Sequence, residues 1–204
     1  MIVIIDYGLG NLGSILNMLK RIGVDSIISN DKKLIENADK IILPGVGSFD
    51  SGMSNLKKAG LVNILERKVL VDKVPFLGIC LGMQLITRKS EEGELNGLGW
   101  IDAETKKFDS TIQDKKMIIP HMGWNKVYPV SDCLLFNDMD NEMRFYFVHS
   151  YYVHCENKEE IAGETDYGSR FTSVIQKENI FATQFHPEKS HKYGLTLLKN
   201  FVGL

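Results

Sequence analysis

The chain reads as an α/β fold: a mostly parallel central sheet with flanking helices, plus antiparallel strands in its second half. Three observations lead there. Through the first half, short β-branched runs alternate with stretches of helical periodicity. Those runs are apolar throughout rather than alternating, as strands covered on both faces are. In the second half, strand-like runs follow one another with few helical segments between.

The elements come in order. Ile2–Ile5 is a strand. Residues 11–22 place Leu12, Ile15, Leu16, Leu19 and Ile22 at helical spacing, and Gly23 ends the helix. Ser26–Ser29 is a second strand and 40–43 a third, stopped by Pro44-Gly45. Residues 49–73 are helical with a break near Gly60. A fourth strand, 76–79, leads into a helix over 81–88. Strands then fall at 99–108, 124–127, 145–153, 161–165, 171–176 and 180–185, and a helix over 191–201 closes the fold.

Length and composition narrow the function. The 204 residues fit a single domain, 1–204, with a sizeable core. With 24 basic and 26 acidic side chains, no charge excess points to nucleic acid or to a membrane surface. The opening MIVIIDYGLG lacks a basic leader and carries only a short apolar run, so neither signal peptide nor span is expected. Three scattered cysteines, Cys80, Cys133 and Cys155, build neither a disulfide framework nor a metal cluster. The expectation is a cytoplasmic protein with reduced thiols and no metal or cofactor.

Chemistry concentrates at Gly78-Ile79-Cys80-Leu81-Gly82. Strand, Gly-x-Cys-x-Gly, then helix is the layout of a nucleophile elbow. The glycines let neighbouring backbone pass close, the helix N-terminus favours thiolate, and the Leu81 N–H is free for an oxyanion. The bland alternative is a buried cysteine in a core turn.

A thiol nucleophile needs a base and a group to orient it. Of five histidines, His186 opens His186-Pro187-Glu188 after an apolar run. In an extended segment Glu188 points the same way as His186 and can reach one ring nitrogen. The plain alternative is a surface turn. His149 is a rival base without an adjacent carboxylate; His149 and His154, an odd number apart in one apparent strand, face opposite ways and share no metal. Pro44-Gly45-Val46-Gly47 is a second glycine turn at a strand end, where its amides can join that of Leu81. It also reads as an ordinary turn.

Together these pieces resemble the class I glutamine amidotransferase family. Gly10-Asn11, Pro44-Gly-Val-Gly47, Gly78-Ile-Cys-Leu-Gly-Met-Gln84, Pro120-His-Met-Gly-Trp-Asn125, Phe147-Val-His-Ser150 and Gln184-Phe-His-Pro-Glu-Lys-Ser190 resemble its HisH branch. That branch holds the glutaminase subunits of imidazole glycerol phosphate synthase. The resemblance implies Cys80 as nucleophile, His186 as proton carrier and Glu188 as its orienter. It implies an oxyanion hole at the backbone of Val46 and Leu81, and glutamine held by Gly47, Gln84, Ser150 and Tyr151. It further implies a heterodimer with a HisF-type (β/α)8-barrel synthase that receives the ammonia in histidine biosynthesis. Asn11, Met122, Trp124 and Lys189 fall where that partner would touch; read alone, Trp124 is a core tryptophan beside a tight turn.

Rival readings attach to particular stretches. Gly8-x-Gly10-x-x-Gly13, after a strand and with Asp31 about 20 residues on, is the context of a dinucleotide fingerprint and of a nicotinamide oxidoreductase. A thiol hydrolase of α/β-hydrolase type shares the elbow, but its acid normally precedes the histidine. Gly97-Leu-Gly-Trp-Ile-Asp102 resembles HisH-like paralogues that feed a sugar amidotransferase in surface-polysaccharide synthesis. A non-catalytic scaffold leaves the Cys80, His186 and Glu188 set unexplained.

Overall fold

The computed structural model describes residues 1–109, 111, 112, 115, 116 and 118–204. The first half follows the predicted alternation: β1 (Ile2–Ile5), α1 (Leu12–Ile22), β2 (Ser26–Ser29), α2 (Lys32–Glu36), β3 (Lys40–Gly45), α3 (Phe49–Lys58), α4 (Val62–Glu66), β4 (Phe76–Cys80) and α5 (Leu81–Leu85). The short α2 was not expected; Asp31 caps it, its carboxylate accepting from the Lys33 and Leu34 N–H groups at 2.7 and 3.4 Å. The predicted break after α3 is present at Gly60, and a turn of π type, Arg67–Val71, completes that region.

The second half holds β5 (Lys89–Ser90), β6 (Ala103–Lys107), β7 (Thr111–Ile112), β8 (Lys115–Lys116), β9 (His121–Lys126), β10 (Tyr128–Pro129), β11 (Arg144–His149), β12 (Tyr151–Cys155), β13 (Ile161–Tyr167), β14 (Ser169–Lys177), β15 (Ile180–Thr183) and α6 (His191–Val202). Three expectations are corrected. The helix after Cys80 stops at Leu85, not Arg88. The strand expected from Gly99 begins at Ala103, because residues 97–101 run against the 85–88 backbone, where Leu98 and Trp100 donate to Leu85 and Ile86 carbonyls. The single strand expected over 145–153 is two, broken at Ser150: β11 pairs with β9 in a small sheet and β12 joins the main one.

Strands β2-β1-β3-β4-β15 are mutually parallel, and β15 passes to an antiparallel flank through β14, β12 and β6. Alternate side chains serve two cores. Val3, Ile5, Ile41 and Leu43 pack with α3 and α5, whereas Ile2, Ile4, Ile42, Leu77 and Ile79 pack with α1 and α6. This is why the strands read as unbroken apolar runs. Adjacent order β3-β4-β15 matters most for function: it brings three strand carboxyl ends, and the loops that follow them, side by side. Among the described residues no helix is long and apolar enough to cross a membrane.

Candidate active site

The middle of those three strands delivers Cys80. Its backbone sits at φ 54° and ψ −107°, a region L-residues avoid, so the chain turns sharply from β4 into α5. The flanking glycines are there for contact. A Cβ on Gly82 would lie 1.8 Å from the Leu43 carbonyl oxygen, and one on Gly78 would lie 2.9 Å from that of Gly82. Helix α5 can therefore nest directly on β3 and β4, with Leu81 as its first residue and its N–H outside the helix's own bonding.

On one side, β3 sets Gly45 opposite Cys80 and leads into Val46 and Gly47. On the other, β15 pairs Thr183 with Ile79 and leads into Gln184, Phe185 and His186. The His186 ring is buried and its Nδ1 lies 2.7 Å from Glu188 Oε1; Glu188 is itself buried. The contact arises differently from expectation. His186 is extended, but Pro187–Lys189 forms a 3-10 turn that folds the carboxylate back onto the ring. His186 is also anchored through its backbone, donating to the Tyr146 carbonyl at 2.9 Å.

Burial pulls the His186 pKa down, but the Cys80 sulfur and the Glu188 carboxylate outweigh it and raise the ring to about 10. Nε2 is buried beside the Cys80 sulfur and meets no other hydrogen-bonding group. Cys133 and Cys155 are buried elsewhere, and burial pushes their thiols up to about 11 and about 12. They are inert at neutral pH.

A cleft of about 430 Å³ opens over the elbow and is lined by Val46, Gly47, Cys80, Leu81, Gln84, Ser150 and Tyr151 together. All seven were singled out in the sequence. A hollow of about 770 Å³ between β12, β13 and β14 is larger but lies away from Cys80 and His186. Size does not choose the site; convergence of reactive groups does.

The rival base lines the same cleft, but both its ring nitrogens are engaged. His149 gives Nδ1 to the Tyr151 carbonyl at 2.8 Å and turns Nε2 to His121 at 2.9 Å. Burial pushes it down to about 3, so it is neutral and engaged. His154 is exposed on β12 while His149 ends β11, so the two do not share the one strand expected of them. The dinucleotide reading loses its parts too. Nothing lies within 4 Å of a Cβ on Gly13, so that glycine permits no close packing, and Asp31 is occupied as a helix cap.

Met122 and Trp124 are 61 and 47% exposed, on the outer face of β9, so Trp124 is no core residue. Its ring stacks on His191 at 5.4 Å, and Lys189 Nζ lies 5.6 Å over the neighbouring Tyr146 ring. Asn11 stands at the start of α1, accepting from Ser14 Oγ at 2.9 Å, and α1 packs on the 187–189 turn.

Two residues were missed. Gln184, fully buried, donates Nε2 to Cys80 Sγ at 3.7 Å. Its signal was a glutamine at the end of an apolar run, two residues before His186. Tyr7 is buried under Gly45 with its hydroxyl unpartnered, and burial and the nearby Cys80 push its pKa up. It carried no signal, because a tyrosine after a strand is unremarkable until the fold sets β1 beside β3.

Comparisons with known proteins agree with this geometry. The family model for class I glutamine amidotransferases matches residues 3–203. The chain is 58% identical over 203 residues to imidazole glycerol phosphate synthase subunit HisH 2 of Methanococcus maripaludis, covering 99% of this chain and 98% of that one. It is 48% identical to the protein of the same name from Pseudomonas aeruginosa, over the full length of both. The crystal structure of a glutamine amidotransferase from Thermotoga maritima superposes with a TM-score of 0.69 at 15% identity, over 98% of this chain and 95% of that one, and speaks for the fold. With the family matched along nearly the whole chain, this protein belongs to the class I glutamine amidotransferases.

Proposed function

We propose that the chain is the glutaminase subunit of an imidazole glycerol phosphate synthase, with Cys80, His186 and Glu188 as its catalytic triad. The observation that carries the proposal is the strained Cys80 elbow at the floor of the cleft, with the buried His186–Glu188 pair 2.7 Å apart beside it. Relatives bearing that subunit name align over the whole chain.

Chemistry follows from the groups present. His186, raised to about 10, holds the proton of the Cys80–His186 pair, and the sulfur attacks the carboxamide carbon of glutamine. The resulting oxyanion meets the backbone N–H groups of Val46 and Leu81. Collapse breaks the C–N bond, and His186 passes its proton to the leaving ammonia, leaving a glutamyl thioester. Water then attacks the thioester; His186 takes its proton and returns it to sulfur as glutamate departs. Glu188 holds the imidazole in orientation and stabilises its charged form. Gly47, Gln84, Ser150 and Tyr151 hold the substrate.

The ammonia passes to a HisF-type (β/α)8 barrel that docks across Asn11, Met122, Trp124 and Lys189. Ammonia in water at neutral pH is mostly protonated and no longer nucleophilic, so a covered path between the two proteins is needed. An exposed aromatic beside Met122 suits an anchor. Glutamate release from glutamine, measured alone and with such a barrel loaded with its nucleotide ligand, tests the assignment. Strong stimulation is expected. Release without stimulation would keep the glutaminase and pass its ammonia to another acceptor, a sugar amidotransferase.

A further inference from the structure

A line of buried and partly buried polar groups runs from strand β9 to the Cys80 sulfur. Asn125 Nδ2 lies 3.2 Å from His121 Nε2, and His121 Nδ1 lies 2.9 Å from His149 Nε2. His149 Nδ1 meets the Tyr151 carbonyl at 2.8 Å, which also accepts from Gln84 Nε2 at 3.0 Å. Gln84 Nε2 donates again to Gln184 Oε1 at 3.1 Å, and Gln184 Nε2 reaches Cys80 Sγ at 3.7 Å.

Only one set of donors and acceptors satisfies the line. A carbonyl can only accept, so His149 carries its proton on Nδ1. In the neutral ring Nε2 is then a lone pair, which needs the Nδ1–H of His121. His121 Nε2 is in turn a lone pair, filled by the Asn125 amide, which donates also to the Asp166 carbonyl at 2.9 Å. A second proton on either ring would set two N–H groups against each other. Burial agrees, pushing His121 down to about 4 and His149 to about 3.

We propose that Asn125, His121, His149, Gln84 and Gln184 form one positioning relay that fixes the Tyr151 wall of the cleft and the Gln184 amide against Cys80, in register with strand β9. Strand β9 alternates: His121 and Asn125 point inward to the relay, while Met122 and Trp124 point outward. The relay links the open face of the strand to the cleft. His121 and Asn125 touch no reacting atom; they act through His149 and the Tyr151 carbonyl. Its effect on turnover rests on the glutaminase reading above, but its bonding does not.

Two measurements decide it. Long-range ¹⁵N–¹H spectra of the whole chain at neutral pH should show both His121 and His149 neutral with the proton on Nδ1. A charged ring, or a proton on Nε2 of either, overturns the relay whatever the protein catalyses. In glutamate release with the barrel partner, His121→Leu should raise KM for glutamine about tenfold with kcat changed less, the loss typical of one buried hydrogen-bond partner. His121→Asn, which restores a donor at the Nδ1 position, should return KM to within about twofold. An unchanged KM in folded His121→Leu, or no rescue by Asn, overturns it. Wild-type protein that released no glutamate would sink the glutaminase reading, leaving the spectra to judge the relay.

Discussion

At the scale of single residues, Cys80 concentrates the conflict between stability and chemistry. Its φ of 54° costs about 1–3 kcal/mol for a residue with a Cβ, and glycine would relieve it. Cys80→Gly is therefore expected to be more stable than Cys80→Ala by about 1 kcal/mol, against the usual order of those residues. Urea unfolding of the two inactive variants checks this; Ala equal to or above Gly would mean the elbow is unstrained. Residues of this kind differ in how legible they were. Cys80 announced itself through flanking glycines, and His186 through the proline and carboxylate beside it. Gln184 stood in a motif without a role of its own and Tyr7 carried no signal, because what makes each matter is a neighbour brought by the sheet, Cys80 for one and Gly45 for the other.

Elements place these residues, and two glycines separate packing from motif. Gly82 lets α5 lie on β3, and a methyl group there meets the Leu43 carbonyl at 1.8 Å. Gly82→Ala should cost several kcal/mol or prevent folding, since backbone would have to move. Gly13 in the first turn of α1 is open, so Gly13→Ala should stabilise by about 0.5 kcal/mol. Thermal melts of the two variants give the comparison; destabilisation by Gly13→Ala would restore a packing role to that glycine. The parallel half of the fold was readable because two-sided burial writes itself as unbroken apolar runs. The break at Ser150 was not, because both strands it separates are rich in aromatic and β-branched residues, and only their different partners, β9 and β6, tell them apart. The α2 helix was too short for periodicity to register.

For the whole molecule, the buried His121–His149 pair sets an acid limit. Both rings have folded pKa values below the usual 6.5, about 4 for His121 and about 3 for His149; burial holds both down, and His121 and His186 lower His149 further. Between those values and 6.5 the unfolded chain binds protons that the folded chain refuses. Stability should therefore fall as pH drops from 6.5 towards 4, by about 1.4 kcal/mol per pH unit for each histidine. His186 runs the other way: raised to about 10, its contribution is present below 6.5 and lost as pH rises towards 10. Urea unfolding from pH 7 to 4 should show the acid loss in wild type and a shallower slope when both His121 and His149 are replaced by Asn. An equal slope would place the acid sensitivity elsewhere.

The most direct test of the thioester chemistry is to treat the protein with a glutamine-like electrophile and map the adduct by peptide mass spectrometry. Modification at Cys80, blocked by excess glutamine and sparing Cys133 and Cys155, is the expected result. Label spread over all three cysteines, or a Cys80 that glutamine does not protect, would contradict a glutamine site built around that sulfur.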